Sequence, residues 1–387
     1  MPSERKPCVC IFSALYPPAV GGVETYTANL AKALRDLGYR VIVATLNSQG
    51  LAARESADGI DVVRFPCRAL LGGRYPIARK NSEHRKLQSW LRSQAVDYII
   101  VNTRFYLHSQ SGLSFARSQG IAPVLIEHGS AHLTMGSPLV DKGVEFVEHL
   151  LTAAGKRFDA SYYAVSKKAS RWLGHFGLVS NGELYNSIDA DTYLKQASER
   201  SFRDELDIPE TDLIAAFVGR LVPEKGVQAI AEAARMLGAD GGVTFILAGD
   251  GPLFDEMEKH SSKKLHLLGK LSPPDVSALL AQADLFCLPS RSEGFATSLL
   301  EAAACYTPSI VTDVGGVDEL IPDARFGPVI ENAEPRTVAE AVHQAAEHRE
   351  ALAAQGACVG KLVRTEFSWK KTAERAIEAC KAAQLSD

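Results

Sequence analysis

The chain has 387 residues, of which 46% are apolar and 23% charged, and its formal net charge is −4. A chain of this length is too long to fold around a single typical hydrophobic core, so two domains are expected. The small negative charge argues against a dedicated nucleic-acid-binding protein, and no apolar run reaches the roughly 20 residues that a membrane-spanning helix requires.

The N-terminal segment leads directly into a predicted strand, without the apolar stretch of a secretion signal. Seven cysteines, an odd number, are scattered along the chain and show no zinc-binding spacing. Both features indicate a reduced, cytoplasmic protein.

The first half of the chain alternates predicted strands and helices. The predicted strands are residues 8–15, 40–46, 60–65, 97–101, 123–127 and 161–165. The predicted helices are residues 22–37, 81–94, 108–118, 139–154 and one that begins at Ser166. This order predicts an α/β domain in which helices cover both faces of a parallel sheet.

The first motif, GGVE at residues 21–24, opens the first predicted helix. Backbone amides at a helix N-terminus carry partial positive charge and bind phosphate without a metal. A plain tight turn is the alternative. The motif is not GxGxxG, so the sequence lacks the main signal of a dinucleotide-dependent dehydrogenase.

A basic stretch follows between Arg64 and Arg104. It contains nine Lys and Arg residues against Glu83 and Asp97, a local charge of +7 in a chain that is negative overall. This pattern is typical either of a solvated surface or of a surface that meets an anionic membrane or a lipid-linked phosphate.

His128 follows a predicted strand and precedes Gly129. An imidazole there can hydrogen-bond a sugar hydroxyl or shuttle a proton, although a purely structural histidine is the alternative. His128 and His132 also have the i,i+4 spacing of metal ligands on a helix. Gly129 directly after a strand disfavours such a helix, so no metal site is expected.

The second half repeats the α/β pattern after a linker near residues 186–201. Its predicted strands are residues 213–218, 243–248, 265–268, 285–288 and 309–312, and the terminal predicted helix spans residues 370–384. Open α/β sheets bind ligands at the carboxyl ends of their strands. The motifs that follow predicted strands therefore indicate a site in a cleft between the two domains.

Two basic residues, Arg220 and Lys225, follow the first strand of the second domain. Two cations aimed at one point can stabilise the charge that develops on a leaving diphosphate. In the alternative interpretation, Glu224 pairs with one of them in a surface ion pair. A further glycine turn, which contains Gly249, follows the next strand.

Glu293 and Glu301 lie eight residues apart across a predicted strand-to-helix turn. Gly294 would let the backbone approach a ligand, and Glu301 would lie about two turns into the helix. One carboxylate could then reach a sugar while the other reaches a ribose. Two solvated surface glutamates are the alternative.

Taken together, these motifs resemble those of retaining GT-B glycosyltransferases of family 4. The matching segments are residues 17–24, 186–189, 218–226, 248–252, 290–302 and 312–320. The resemblance implies an α/β protein with two Rossmann-like domains that face a central cleft. The acceptor domain would span residues 1–190 and be joined by the C-terminal helix 369–387, and the donor domain would span residues 191–368.

By resemblance, Arg220 and Lys225 clamp the donor diphosphate, and Glu293 holds the hexose 3- or 4-hydroxyl. Glu301 holds the ribose hydroxyls, and His128 lies beside the sugar's C6 hydroxyl. The expected donor-binding residues are Gly21, Gly22, Gly219, Gly249, Gly294, Phe295, Ala296, Thr297 and Glu301. Ala296-Thr297 departs from the glycine usual in the family, which leaves the identity of the donor sugar open.

The implied function is transfer of a hexose from a nucleotide-diphosphate sugar, with retention of configuration, in polysaccharide or glycoconjugate synthesis. A front-face mechanism is expected, with neither metal nor cofactor. A GT-B sugar-nucleotide epimerase and a non-catalytic sugar-nucleotide-binding protein are the alternatives. The acceptor is left open between a lipid-linked and a small glycoside, and the basic stretch allows peripheral contact with the inner face of the membrane.

Overall fold

The computed structural model describes residues 5–70, 73, 75–132, 138–239 and 241–385, without the side chains of residues 138 and 139. The chain forms two compact units, Met1–Asn186 with Trp369–Asp387 and Ser187–Ser368. The C-terminal helix therefore groups with the first unit, although the second unit lies between them in the sequence. No helix in these described ranges is long and apolar enough to cross a membrane.

The first unit is built on an eight-stranded sheet. Its strands are β1 Cys8–Phe12, β2 Arg40–Asn47, β3 Arg54–Ala57, β4 Ile60–Leu70, β5 Tyr75–Ala78, β6 Tyr98–Asn102, β7 Val124–Glu127 and β8 Ser161–Ala164. The strand order is β3-β4-β2-β1-β6-β7-β8, and β5 pairs with β4. Of the strands in the described part of this unit, only β3 and β5 run antiparallel to their neighbour. The central strand β1 is buried over its whole length, as a strand covered on both faces must be.

Helices cover this sheet. Five of them are α1 Gly22–Asp36, α2 Ser82–Ser93, α3 Leu107–Gln119, α4 Pro138–Gly155 and α5 Lys167–Leu173. The C-terminal helix Trp369–Leu385 packs on α1, where the Tyr26 and Trp369 rings lie 5.3 Å apart, centroid to centroid. Its far end is anchored by Gln384, whose Nε2 donates to the Asp97 carbonyl at 2.7 Å.

The second unit contains a six-stranded parallel sheet of order β11-β10-β9-β12-β13-β14. Its strands are β9 Leu213–Val218, β10 Val243–Ala248, β11 Leu265–Gly269, β12 Leu285–Leu288, β13 Ser309–Thr312 and β14 Val329–Ile330. Its helices are α6 Ala190–Lys195, α7 Phe202–Glu205, α8 Val227–Leu237, α9 Phe254–Glu258, α10 Pro273–Gln282, α11 Thr297–Ala304, α12 Val317–Leu320, α13 Pro335–Glu347 and α14 Arg349–Glu366.

The predicted α/β class and all eleven predicted strands are present, with ends that differ by a few residues. The strands that the sequence analysis missed are β3, β5 and β14. Every residue of β3 is exposed, so this strand carries no apolar alternation. β14 has only two residues, too few for any pattern to indicate a strand.

Candidate functional site

The second unit gathers its predicted site residues at one edge of its sheet. Strands β10, β9, β12 and β13 are neighbours in that order. Gly249 follows β10, Gly219 and Arg220 follow β9, and Glu293 lies between β12 and α11. Because the strands are parallel, all these residues lie at the same, carboxyl edge of the sheet.

Glycines let the turns at this edge pack backbone against backbone. A Cβ atom added to Gly249 would lie 1.8 Å from the Gly219 carbonyl oxygen. A Cβ on Gly226, the residue after Lys225, would lie 2.1 Å from the Pro289 carbonyl oxygen. Any side chain at either position would force these turns apart, so the residue must be glycine.

Lys225 and Glu293 form an ion pair at this edge, between Nζ and Oε1. Ser290 also binds the same carboxylate oxygen, since its Oγ lies 2.9 Å from Glu293 Oε1. The side chains of Lys225 and Glu293 are only 24% and 12% exposed. Glu293 is therefore held in place before any ligand arrives. The Glu224 side chain, which was the alternative partner, forms no ion pair with Lys225 or Arg220 in the described part of the chain.

Arg220 is exposed, and its guanidinium makes no ion pair with any residue in the described part of the chain. It lies directly after Gly219 at the end of the buried strand β9. A rigid strand end thus presents an uncompensated cation at the same edge of the sheet as the Lys225–Glu293 pair. This arrangement is suited to binding an anion.

The loop that contains Glu293 is braced by the loop after β13. The Ala296 amide donates to the Gly315 carbonyl at 3.1 Å, and the Gly315 amide donates to the Glu293 carbonyl at 3.2 Å. A Cβ on Gly315 would lie 2.1 Å from the Gly294 carbonyl oxygen. Ala296 is 1% exposed, so its methyl group packs inside the protein. Phe295 is also buried, whereas Thr297 is exposed at the start of α11.

Glu301 lies in α11 and accepts a hydrogen bond from the Tyr193 hydroxyl of α6. Burial raises the pKa of Glu301 to about 7, and the hydrogen bond from Tyr193 opposes this rise. Near neutral pH, the side chain is therefore divided between its carboxylate and its carboxylic acid. Removal from water is the cause, because it disfavours the charged form.

In the first unit, Gly21 and Gly22 stand at the start of α1, as the motif predicts. The N-cap residue, Gly21, has no side chain that could cap the first amides. The Glu24 carboxylate nevertheless folds back over it, since a Cβ on Gly21 would lie 2.2 Å from Glu24 Oε2. Burial raises the pKa of Glu24. A phosphate at this N-terminus would meet that carboxylate.

His128 directly follows β7 and is oriented by Asn102 at the end of β6. Its Nε2 lies 2.9 Å from Asn102 Oδ1, and Asn102 Nδ2 donates to Thr27 Oγ1 at 2.8 Å. Burial lowers the pKa of His128 to about 3, so the imidazole is neutral at neutral pH. With its proton on Nε2, the ring keeps Nδ1 as an acceptor. His128 can thus accept a hydrogen bond from a hydroxyl.

A buried ionic network supports the backbone around His128. Arg104 Nη1 donates to Glu127 Oε2 at 2.7 Å, and Nη2 donates to Glu148 Oε1 at 2.9 Å. Glu127 Oε1 accepts from the amides of His128 and Gly129 at 3.0 and 2.8 Å. All three charged side chains are at most 2% exposed. This network fixes the turn that carries His128.

The same network removes Arg104 from the basic surface that the sequence analysis considered for residues 64–104. Arg104 is buried among carboxylates, and Arg64 is 4% exposed and paired with Glu55. Arg74 lies outside the described residues. The exposed basic residues of the stretch are Arg68, Arg79, Lys80, Arg85, Lys86 and Arg92. Buried arginines cannot be told from exposed ones by composition, because their burial depends on partners distant in the sequence.

The sequence analysis did not assign a site role to four residues that orient the predicted ones. They are Asn102, Tyr193, Ser290 and Gly315. For Gly315, the double glycine after a predicted strand could have indicated a role in the site. Tyr193 had no such signal, since it lies 108 positions before Glu301 in the sequence.

Two family models match this chain. The model described as Glycosyltransferase Family 4 matches residues 20–191, and the model described as Glycosyl transferases group 1 matches residues 198–357. Among curated proteins, the chain is 24% identical to the GDP-mannose-dependent monoacylated alpha-(1-6)-phosphatidylinositol monomannoside mannosyltransferase of Corynebacterium glutamicum. That alignment covers 93% of this chain and 94% of the relative.

Solved structures match over nearly the whole chain. Sucrose-phosphate synthase from Thermosynechococcus elongatus superposes with a TM-score of 0.76 at 17% identity, covering 99% of this chain and all of that one. The Anabaena protein HepE, in complex with UDP and glucose, superposes with a TM-score of 0.70 at 20% identity. Here the coverage is 97% of this chain and 99% of that one. These similarities confirm the predicted fold class.

Proposed function

Since the chain belongs to glycosyltransferase family 4 and is a glycosyltransferase with the GT-B fold, we propose that it transfers a hexose from a nucleotide-diphosphate sugar to an acceptor hydroxyl with retention of configuration. One observation carries the proposal. Arg220, the Lys225–Glu293 pair and Glu301 follow neighbouring strands of one sheet, at its carboxyl edge.

In the proposed donor complex, the two cations bind the diphosphate. As the glycosidic bond breaks, negative charge develops on the β-phosphate, and preorganised cations stabilise it. Arg220 has no carboxylate partner within the described ranges, so its guanidinium is available. Lys225 has three N–H donors, and one hydrogen bond to Glu293 leaves capacity for phosphate oxygens.

The two glutamates bind the two ends of the donor. Glu293, held by Lys225 and Ser290, accepts hydrogen bonds from the hexose 3- or 4-hydroxyl. Glu301, in the middle of α11, accepts hydrogen bonds from the ribose hydroxyls. His128 accepts a hydrogen bond from the C6 hydroxyl of the sugar through Nδ1.

We propose front-face transfer without a covalent intermediate on the protein. The acceptor hydroxyl attacks from the side that the diphosphate leaves, and the departing β-phosphate oxygen takes the proton of that hydroxyl. His128 is neutral because burial lowers its pKa to about 3, which suits a positioning role and not that of a proton donor. Retention follows because bond formation and bond cleavage occur on the same face.

A thermal-shift screen of nucleotide sugars tests the donor, beginning with UDP-glucose and GDP-mannose. A ligand at 100 times its dissociation constant stabilises the folded state by about 2.7 kcal/mol. The stabilising donor is then incubated with candidate acceptors, and the anomeric configuration of the product is determined by NMR. A donor converted to its epimer without any acceptor would support the epimerase alternative. A bound donor that is never consumed would support the non-catalytic one.

Metal independence is expected, because cationic side chains and helix amides take the place of a metal on the diphosphate. The transfer rate should stay unchanged when Mg²⁺ and Mn²⁺ are left out of the assay, and it should not increase when either ion is added back. Initial rates at saturating donor measure this. A loss of activity that Mg²⁺ or Mn²⁺ restores would overturn the metal-independent mechanism.

We further propose that the acceptor is presented at an anionic lipid surface, which the first unit contacts through its exposed basic residues. The Corynebacterium relative is named for a phosphatidylinositol-based acceptor. On α2 and just before it, Arg79, Lys80, Arg85 and Lys86 are exposed, whereas Leu87 and Leu91 are buried. The contact is therefore electrostatic, because those two apolar side chains pack into the protein core.

Replacing Arg79, Lys80, Arg85 and Lys86 together by glutamine should reduce sedimentation with anionic liposomes, since each basic residue near such a surface contributes about 1 kcal/mol. Salt should weaken wild-type sedimentation in the same way. Hydrolysis of the donor should be unaffected.

The matched control replaces four exposed basic residues of the second unit by glutamine, namely Arg235, Lys259, Lys263 and Arg336. This variant should sediment like the wild type. Equal sedimentation of the wild type with neutral and anionic vesicles, or none with either, would favour a soluble acceptor.

A further inference from the structure

Three histidines of the first unit converge at a point that the proposed transfer does not use. His132 follows β7, His149 lies in α4, and His175 lies in a short 3-10 turn, Gly174–Phe176, after α5. One ring nitrogen from each lies within 4.8 Å of the others. The rings also pack against one another, with centroids 5.1 to 5.5 Å apart.

The hydrogen bond of His132 determines which of its nitrogens can bind a ligand. Nδ1 donates to Glu148 Oε2 at 2.5 Å, and Glu148 is itself held by Arg104 at 2.9 Å. Nε2 is buried and has no hydrogen-bond partner among the described residues. A histidine whose second nitrogen donates to a carboxylate is the usual arrangement of a metal ligand, because the carboxylate orients the ring and increases its basicity.

A carboxylate lies beside the three histidines, although it does not belong to the group whose ligand atoms lie within 4.8 Å of one another. Glu145 lies one helical turn before His149 on α4, and its Oε1 is 3.5 Å from His132 Nε2. A neutral imidazole nitrogen and a carboxylate oxygen are both acceptors, so their approach is unfavourable unless a cation or a proton lies between them.

Two carboxylates face the ring of His132, Glu148 at Nδ1 and Glu145 at Nε2. A cation bound between Nε2 and Glu145 would interact favourably with both groups.

We propose that His132, His149 and His175 bind one Zn²⁺ ion and that Glu145 moves inward to provide the fourth ligand. Three imidazole nitrogens and one carboxylate oxygen form a ligand set that zinc accepts in tetrahedral sites. With Zn–N distances of about 2.0–2.1 Å, tetrahedral nitrogens lie roughly 3.3 Å apart, so the rings need to move inward by little more than 1 Å.

The role of this ion is structural. It ties the segment after His128 to α4 and to the turn after α5, three segments that are distant in the sequence. The sequence analysis expected no metal site, because the cysteines show no zinc-binding spacing and Gly129 disfavours a helix that carries His128 and His132. Gaps of 17 and 26 residues between the three histidines match no metal-binding motif.

The test uses the full-length protein, freed of metal with a chelator and titrated with Zn²⁺ in an equilibrium-binding assay. One tightly bound ion per chain and a raised melting temperature are expected, because binding to the folded state alone stabilises it. His175→Ala should weaken zinc affinity at least about 100-fold, more than the 10- to 100-fold typical of losing an outer-shell partner. His175 is exposed, so its removal leaves the core intact.

His343→Ala, which removes an exposed histidine of the second unit, is the matched control and should bind zinc like the wild type.

The seven free cysteines could bind zinc elsewhere. Co²⁺ substitution separates the two cases, since only cysteine ligation produces a thiolate charge-transfer band. Equal zinc stoichiometry and affinity in the wild type and His175→Ala would overturn the proposal, as would a thiolate band that persists in His175→Ala. Stability lost to a chelator should return with Zn²⁺ and not with Mg²⁺.

Discussion

Replacing Arg220 by alanine is expected to lower kcat by about 10²–10³-fold, the usual cost of removing one preorganised group that stabilises transition-state charge. Arg220 stands at the end of β9 and pairs with no carboxylate within the described ranges, so its positive charge is available to a ligand. Steady-state kinetics with the preferred donor would measure the loss. The free energy of unfolding should change by less than about 0.5 kcal/mol, because the side chain is exposed.

Two further variants make this result specific. Arg220→Lys keeps a positive charge but loses the planar guanidinium, so it should recover only part of the rate. Arg235→Ala removes an exposed arginine of the same unit that pairs with Glu232, and it should leave kcat unchanged. If Arg220→Ala raised KM but left kcat at its wild-type value, Arg220 would bind the donor without stabilising the departing diphosphate.

Replacing Glu301 by alanine is expected to weaken binding of the preferred nucleoside diphosphate by about 1.5–3 kcal/mol, the typical contribution of a hydrogen bond to a charged group. This corresponds to a loss of affinity of roughly 10- to 150-fold. The expectation rests on the position of Glu301 in α11, beside the turn that contains Glu293. Isothermal titration calorimetry measures the change. An unchanged dissociation constant would remove Glu301 from the site.

The pH dependence gives a second measure of the same residue. Because burial raises the pKa of Glu301 to about 7, its carboxylate is lost as the pH falls through that value. Wild-type affinity for the nucleotide should therefore increase between pH 6 and 8. The glutamine of Glu301→Gln cannot ionise, so this variant should lose the part of the pH dependence that Glu301 causes. Any pH dependence that remains in the variant comes from ionisation of the nucleotide phosphate. Identical pH profiles for the two proteins would contradict a role of the carboxylate.

The contribution of Glu301 to the free energy of unfolding should fall as the pH rises, whereas its contribution to nucleotide affinity should increase. The folded-state pKa of Glu301 lies above the value of about 4.5 in an unfolded chain, so the folded state retains a proton that the unfolded state has lost. The free energy of unfolding of the wild type therefore falls as the pH rises from about 4.5 to 7. In Glu301→Gln this decrease should be absent, because glutamine does not ionise. The melting temperature of Glu301→Gln should exceed that of the wild type by more at pH 8 than at pH 5.

Much of the candidate site could be predicted from local sequence. Gly249 could be placed because it directly follows the apolar, buried strand β10. Glu293 could be placed because it lies in the loop between the apolar, buried strand β12 and helix α11. The electrostatic state of the site could not be predicted. Lys225 pairs with Glu293, which lies 68 residues further along the chain, and not with the adjacent Glu224. Pairing between side chains depends on which strands are neighbours in the sheet.

The amino-acid sequence by itself determined the repeated α/β pattern, the glycine turns at the strand ends and the positions of Arg220, Glu293 and Glu301. These features are local, because strand and helix periodicity and close backbone approach each depend on a few consecutive residues. Only the tertiary structure decided that Arg104 is buried among carboxylates and that three distant histidines share one point. Such features depend on burial and long-range contact, which arise when the sheets and helices pack.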